Sequence, residues 1–313
     1  MNRIQWDSKT KRAVKKWAFY AAVIALPLLQ FLLMYVYVNI NSFLLAFRQY
    51  NPNDETWKFV WFENFELLFT DKVIGRYLEY AIPNSLKAWL AKVAVGTTLA
   101  LAFAYYIFRR GFGGKFFRIA LFMPSIISAT VLITIFKFYV DDFISEILKD
   151  FLKANLEGFP KRLFSNRNSQ FDTILFFNIF VGFGTSVLMY TSAMTSLSES
   201  IFEAGKIDGV NAFQEFFLLV LPQIIGTISV FLITGLSAIF VDQLNLYAFA
   251  NHQAKQYSYT VGYYLYRTIQ QAGNRYQSYS IPAALGMLIT VIVAPIVLLA
   301  RWGLKKLDPL GGD

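Results

Sequence analysis

Residues with chemistry to offer are few in this chain and fall in three places. The first is the charged stretch EAGKIDGVNAFQE at 203–215, where Glu203, Lys206, Asp208 and Glu215 are interrupted by Gly205 and Gly209. The second is a group of planar polar and aromatic side chains, Asp242, Gln243, Asn245 and Tyr247. The third is a set of polar residues inside apolar runs: Lys92, Lys137, Asn178 and Gln223. None of these is equipped for covalent or metal chemistry. There is no cysteine, which excludes disulfides, thiolate metal sites and cysteine nucleophiles. One histidine, His252, expected in a solvated loop, leaves no His-based metal site or triad. What remains is binding. Planar polar groups suit hydroxyls and aromatic faces suit sugar rings, so 242–247 fits a saccharide path; solvation of an ordinary loop fits it equally.

The elements that must position these residues are apolar helices. The chain has 313 residues, of which 56% are hydrophobic and 16% charged, against about 25% charged in soluble domains. Mean hydropathy is +0.44. Charge this scarce cannot solvate a globule of this size, so a membrane protein is expected. The net charge of +9 invites a nucleic-acid reading, but the bases flank apolar runs and form no single patch. A bilayer core about 30 Å thick needs roughly 20 apolar residues in a helix. Six stretches qualify, at 17–38, 86–108, 117–139, 173–194, 216–240 and 281–302. The first is too long for a signal-peptide core and is expected to stay as a membrane helix. Pro27, Pro124, Pro222 and Pro295 fall inside spans, which favours a bundle of kinked helices over independent anchors.

Orientation follows from the loops. Arg3, Lys9, Lys11, Arg12, Lys15 and Lys16 precede the first span, RRGFGGKFFR at 109–118 holds four bases and no acid, and Arg301, Lys305 and Lys306 follow the last. Six spans put all three clusters on one side, the cytoplasmic one. The loops 39–85 and 140–172 each carry six acids against four and five bases, which suits the outside. The expected organisation is a basic cytoplasmic segment at 1–16, a six-helix domain at 17–308 and a cytoplasmic tail at 309–313. GFGGKFF at 111–117 lacks the spacing of a phosphate-binding loop.

One loop breaks the charge rule. Residues 195–215 fall on the cytoplasmic side by this count, yet hold four acids against the single Lys206. Ser198 or Ser200 can cap a short helix whose first turn welcomes Glu203. Gly209 then offers a stop, and a second helix starts near Asn211. Phe202, Ile207, Val210 and Phe213 form an apolar stripe for a partner's groove or for lipid headgroups. Periodicity does not separate the two; the acidity speaks against lipid. Lys92 lies about one and a half turns into its span, where it can snorkel or pair with a carboxylate such as Asp242. Lys137 is expected to snorkel to the interface, and Asn178 and Gln223 to make interhelical hydrogen bonds. Tyr257, Tyr259, Tyr263, Tyr264 and Tyr266 are expected mostly to form an interfacial aromatic belt, with a minority left to contact a partner.

Residues 203–222 also carry a resemblance. They resemble the EAA loop of permease subunits of binding-protein-dependent ABC importers, EAAxxDGAxxxxxFxxIxLP. Glu203, Ala204, Asp208, Gly209, Phe216, Leu221 and Pro222 match, while Gly205 and Val210 stand for alanines and Leu219 for isoleucine. Gly205 is expected to loosen the helix by up to about 1 kcal/mol relative to Ala. NSFLLAFRQYN with FVWFENFELLF is similar to the first outer loop of the carbohydrate-uptake, maltose-system-like permeases and its GLxNF element, with Trp61 in place of the usual glycine. FRIALFMPSIISATVL and the stretch from FVDQLNLYAF to the last span resemble that family too, except that ANHQAKQYSYT replaces its GGP turn.

The resemblance implies an all-α type I importer permease in a bacterial cytoplasmic membrane, both termini cytoplasmic. It implies no enzyme activity and no bound cofactor, with ATP and Mg held by two partner ATPase subunits. Further partners implied are a second homologous permease, giving a heterodimer, and an extracellular solute-binding lipoprotein. Glu203, Ala204, Gly205, Asp208, Gly209, Val210, Phe216 and Pro222 would couple to the ATPases. Lys92, Asn178, Asp242, Gln243, Asn245 and Tyr247 are candidates for an oligosaccharide path. A same-fold permease for another solute is the alternative, and an ion-driven secondary transporter a more distant one, since no internal repeat is evident between 17–139 and 173–302.

Overall fold

The computed structural model describes residues 8–144, 146, 162–273 and 279–307. Arg3, residues 145 and 147–161 of the acidic stretch between the third and fourth spans, and the tail after Leu307 lie outside the described residues. Among the described residues, four helices are individually long and apolar enough to cross a membrane: α1 (Arg12–Ala46), α3 (Lys72–Phe108), α6 (Gln170–Thr195) and α12 (Ser280–Leu307). Two bent pairs raise the number to six if each pair is one span. α4 (Gly114–Ile126) and α5 (Ala129–Phe143) meet at 103°; α8 (Ala212–Gln223) and α9 (Ile225–Ser237) meet at 67°. Pro124 and Pro222 lie within three residues of the two breaks, where a missing N–H and a ring clash weaken the helix. Pro27 and Pro295 sit inside helices that continue through them.

The chain divides into two units, Met1–Leu68 with Asn274–Met287, and Phe69–Gly273 with Leu288–Asp313. In the first, α1 is followed by an antiparallel hairpin, β1 (Arg48–Asn51) with β2 (Thr56–Phe59), and then by α2 (Glu63–Thr70). The asparagine of the GLxNF-like element, Asn64, is fully buried and explains why that position wants an amide. Its Nδ2 donates to the carbonyls of Ala46 at 2.8 Å and Arg48 at 3.1 Å, and its Oδ1 accepts from Gln49 at 2.8 Å. One side chain thus satisfies carbonyls at the end of α1 and pins the hairpin there.

In the second unit, α3 begins well before the apolar run that betrays it. Asp71 caps it by accepting from the N–H groups of Val73 and Ile74, and the first turns are amphipathic rather than apolar. The core forms where small residues let helices approach: Ala100 and Ala104 of α3 meet Val187, Tyr190 and Met194 of α6, with Val220, Ile224 and Ile228 from α8 and α9. Gly184 of α6 lies so close to the backbone of Leu121 in α4 that a Cβ there would overlap its carbonyl. After α9 come α10 (Leu246–Ala250), two short 3-10 turns and α11 (Val261–Ala272).

Three expectations about polar and aromatic residues are corrected here. Tyr259, Tyr263 and Tyr264 are buried, not set in an interfacial belt. Tyr77 stacks on Tyr259 and Tyr264, Arg267 lies over Tyr77 and Tyr259, and Asn84 donates to the carbonyls of Tyr257 and Tyr259. Burial pushes the Tyr259 phenol up to about 12, so it stays neutral. Lys137 does not snorkel; its Nζ donates to the carbonyl of Phe249 at 3.0 Å and lies 4.9 Å from the Phe164 ring centre. His252 is half-buried, with Nε2 3.4 Å from the Tyr247 hydroxyl. Lys137 and the tyrosine segment find partners more than 100 residues away, which no local pattern reveals, whereas the partner of His252 lies only five residues before it.

Candidate functional site

The acidic loop is two capped helices joined by a left-handed glycine. α7 (Glu199–Ile207) starts at Ser198, although the Ser198 hydroxyl bonds Ser200 and caps no backbone N–H. It ends at Asp208, and Gly209 takes φ +72°. The Val210 N–H then reaches the Gly205 carbonyl at 2.9 Å and the Gly209 N–H the Lys206 carbonyl at 3.2 Å, the paired bonds of a Schellman stop. Asn211 and Gln214 cap α8 reciprocally: Asn211 Oδ1 accepts from the Gln214 N–H and Gln214 Oε1 from the Asn211 N–H.

This geometry separates residues that the sequence groups together. Glu203, Ala204, Lys206, Asp208 and Gly209 are exposed, and Ile207 and Phe213 are 87% and 72% exposed. Phe202 and Val210 turn inward instead, Phe202 with its ring 5.3 Å from Phe108, so the expected four-residue stripe is a two-residue one. Gly205 is buried, and a Cβ there would lie 2.7 Å from Leu219 Cδ1. The glycine is therefore not merely a loosened alanine: Leu219 fills its methyl's place. Phe216 packs at 5.0 Å on Tyr105, and Pro222 precedes the break into α9.

One participant was missed. Glu215, read only as one of four loop acids, is 5% exposed. It accepts from Arg109 Nη1 at 2.5 Å and from the Tyr105 hydroxyl at 3.1 Å, while that hydroxyl also reaches the Ala212 carbonyl at 2.8 Å. The start of α8 is thereby tied to the end of α3. The signal available in the sequence was the Arg109 cluster, which charge asymmetry alone explained.

The second candidate place is a cavity of about 270 Å³ walled by α3, α6 and α9. Lys92, Asn178 and Asp242 line it. Lys92 Nζ meets Asp242 Oδ2 at 2.5 Å, and Asp242 Oδ1 accepts from the Leu244 N–H at 2.8 Å. Lys92 opens a π-helical stretch, Lys92–Thr97, that supplies four of the lining residues; such bulges re-aim side chains and are frequent at functional sites. Trp89 and Tyr190 also line the cavity and were not singled out from sequence. The buried Trp89 indole N–H has no acceptor among the described residues.

Gln243, Asn245 and Tyr247 do not line this cavity. Leu244 and Asn245 take left-handed φ of +50° and +56°, and Asn178 holds that turn by donating to the Leu244 carbonyl and accepting from Asn245 Nδ2. Tyr247 packs edge-on to Tyr266 at 4.9 Å. Asn245 and Tyr247, both in the segment that follows α9, thus have partners on α6 and α11.

No protein-family model matches the chain. Curated relatives include the maltose/maltodextrin transport system permease protein MalF of Salmonella typhimurium, 23% identical over 248 residues that make up 75% of this chain and 47% of that protein. Another is the probable ABC transporter permease protein YurN of Bacillus subtilis, 26% identical over 200 residues, 63% of this chain and 67% of that one. The chain therefore spans about half the length of the MalF proteins it matches. Among solved structures, a chain from a bacterial alginate ABC transporter in complex with an alginate pentasaccharide-bound periplasmic protein superposes with a TM-score of 0.77. Identity is 20%, over 96% of this chain and 99% of that one. A second structure, of an ABC transporter importing the acidic polysaccharide alginate, gives 0.76. The resemblance read from residues 203–222 and the matching folds agree: this chain is similar to the permease subunits of sugar-uptake ABC transporters.

Proposed function

We propose that this chain is the membrane subunit of an ATP-driven importer that passes a carbohydrate, an oligosaccharide by preference, from an extracellular binding protein to the cytoplasm. The observation that carries the proposal is the loop 198–215. It projects Glu203, Asp208, Ile207 and Phe213 from a rigid, doubly capped turn, which suits insertion into a cleft on a partner. The partner is an ATPase whose closure moves the turn as a lever. Glu215, through Arg109 and Tyr105, passes that motion to α3. Alternating access then follows from the different contacts the ATPases make in each state. Both termini and this loop are cytoplasmic in this reading, with six spans made by counting each bent pair once.

Two further observations support a paired subunit and a neutral solute. Residues 125–130, around the break between α4 and α5, are exposed in the single chain. Non-helical backbone at membrane depth is tolerated only where protein or a water-filled cavity covers it, so this side faces a second permease or the aqueous path. In the cavity, Lys92 and Asp242 neutralise each other. That leaves a dipolar wall with an indole donor and a phenol, better suited to sugar hydroxyls than to a phosphorylated solute. The test is purification of the complex in mild detergent with identification of the accompanying chains, followed by uptake assays of Glu203→Lys and Gly209→Asp. A Cβ at Gly209 meets nothing within 4 Å, so Gly209→Asp bears only the left-handed strain of about 1–2 kcal/mol and should still insert. Recovery of a second permease and an ATPase, lost in both variants along with uptake, is expected. A chain that purifies alone and transports on an ion gradient would overturn the reading.

A further inference from the structure

The hairpin after α1 divides cleanly into two faces. Arg48 pairs with Phe59 and Tyr50 with Trp57 across the strands; because side chains alternate along a strand, these four share one face. Gln49, Asn51, Thr56 and Lys58 share the other. There Lys58 Nζ and Asn51 Nδ2 both reach Asp54 Oδ2, at 3.0 and 2.7 Å. The aromatic face runs on into Trp61, whose ring centre lies 4.9 Å from Phe59, and into Phe62, 5.7 Å from Phe47. Trp61 and Phe62 are 67% and 66% exposed. Trp61 also takes φ +51°, a left-handed conformation that costs a non-glycine residue roughly 1–2 kcal/mol. Apart from its edge-on contact with Phe59, this large apolar ring is held in a strained backbone and left mostly exposed.

We infer that this aromatic face is an interfacial anchor that beds into the boundary between lipid headgroups and acyl chains. Continuity decides for lipid. The hairpin leaves α1 after one residue, and the Val60 N–H bonds the Phe47 carbonyl at 2.8 Å, which fixes it to the helix end. The apolar window of α1 has no buried residue, and Ile40 and Phe43 near its end are exposed. The aromatic face therefore extends an apolar helical surface at the depth where a membrane helix leaves the bilayer. Tryptophan is enriched at that depth because it presents an apolar ring and a wet N–H. Arg48 on the same face suits headgroup phosphates, while on the polar face Gln49 is held by the buried Asn64 and Thr56 and Lys58 are left exposed. The inference rests on α1 crossing a membrane and not on the importer reading, so either can fail without the other.

The test places the full chain in phosphatidylcholine vesicles and takes the difference in tryptophan emission between the native chain and Trp61→Phe. Vesicles carrying bromine near the headgroup end of the acyl chains should remove most of that difference signal, and aqueous acrylamide little of it. Quenching by acrylamide with no response to brominated lipid would overturn the anchor. Response to neither quencher would also overturn it, since the ring would then be covered by protein. Trp61→Gly relieves the backbone strain and serves as a second variant should Trp61→Phe misfold; the same lipid-quenched component should vanish from it.

Discussion

Gly205→Ala puts the packing of the acidic loop to a quantitative test. In an isolated helix the change should help by up to about 1 kcal/mol, and less here, because Gly205 lies in the last turn of α7. Against that stands Leu219, whose Cδ1 would be 2.7 Å from the new methyl. Relaxed carbon contacts need about 3.5–4.0 Å, so the end of Leu219 must retreat by roughly 1 Å. Forcing a half-buried side chain off its rotamer costs about 0.5–1.5 kcal/mol, and overpacking of this kind reaches about 1–3 kcal/mol. The expected net effect is a loss of about 1 kcal/mol. Removing the obstacle reverses the sign: in a Leu219→Ala background, Gly205→Ala should stabilise by up to about 1 kcal/mol. Leu219→Ile, which moves one methyl back to the β carbon, should give partial relief. The two departures from the importer pattern, glycine for alanine and leucine for isoleucine, are on this argument one compensating pair. A double-mutant cycle on the full chain, by denaturant titration in detergent, reads the coupling directly. Stabilisation by Gly205→Ala in both backgrounds, with no coupling, would refute the reasoning.

Two other pairs make comparable predictions. Arg109→Ala leaves the Glu215 carboxylate buried with only the Tyr105 hydroxyl and should destabilise the chain by about 1–3 kcal/mol, below the usual 3–5 for a fully buried pair because Arg109 is 44% exposed. Glu215→Gln, which keeps an acceptor for Tyr105, should cost less, and equal losses in the same titration would remove the special role of the ion pair. At Lys92 and Asp242, whose side chains are 36% and 39% exposed, either charge left alone should cost less than the roughly 2.5–3.5 kcal/mol of a charge at the centre of a bilayer-spanning helix. Lys92→Met or Asp242→Asn alone should therefore lower the amount of folded chain in membranes more than the two together, measured by gel filtration of detergent extracts. Indistinguishable yields would mean the pair is not desolvated.

How much of this could be read from the sequence depends on whether the cause was local. Long apolar helices were legible because apolar length is local, though among the described residues four stand singly and two are bent pairs; so was the turn at Gly209 and Asn211, where each residue's own backbone preference dictates its place. The broken helices followed from Pro124 and Pro222, but their angles did not, because Pro27 and Pro295 are the same residue in helices that continue. Roles for tyrosines were misjudged because the side chain suits a wet interface and a core equally. Tyr77 and Asn84, more than 170 residues away from Tyr257 and Tyr259, distinguish the two.

The candidate site divides along the same line. Lys92 and Asp242 were paired correctly because two opposite charges in apolar runs have few ways to be satisfied. Asn245 and Tyr247 looked alike as candidate sugar ligands, but their surroundings differ: Asn245 sits in a left-handed turn and donates to Asn178, while Tyr247 packs edge-on to Tyr266. Trp89 and Tyr190 carried no polar anomaly into the sequence and gained significance only when α3, α6 and α9 left a space between them. Trp61 is the converse. Its type was legible as a departure where relatives of this kind carry glycine, but its meaning needed the backbone angle. At φ +51° a glycine would cost almost nothing; the interfacial anchor proposed above gives the indole a reason to stand there, since Phe59 is its one described ring contact and two thirds of it stays exposed.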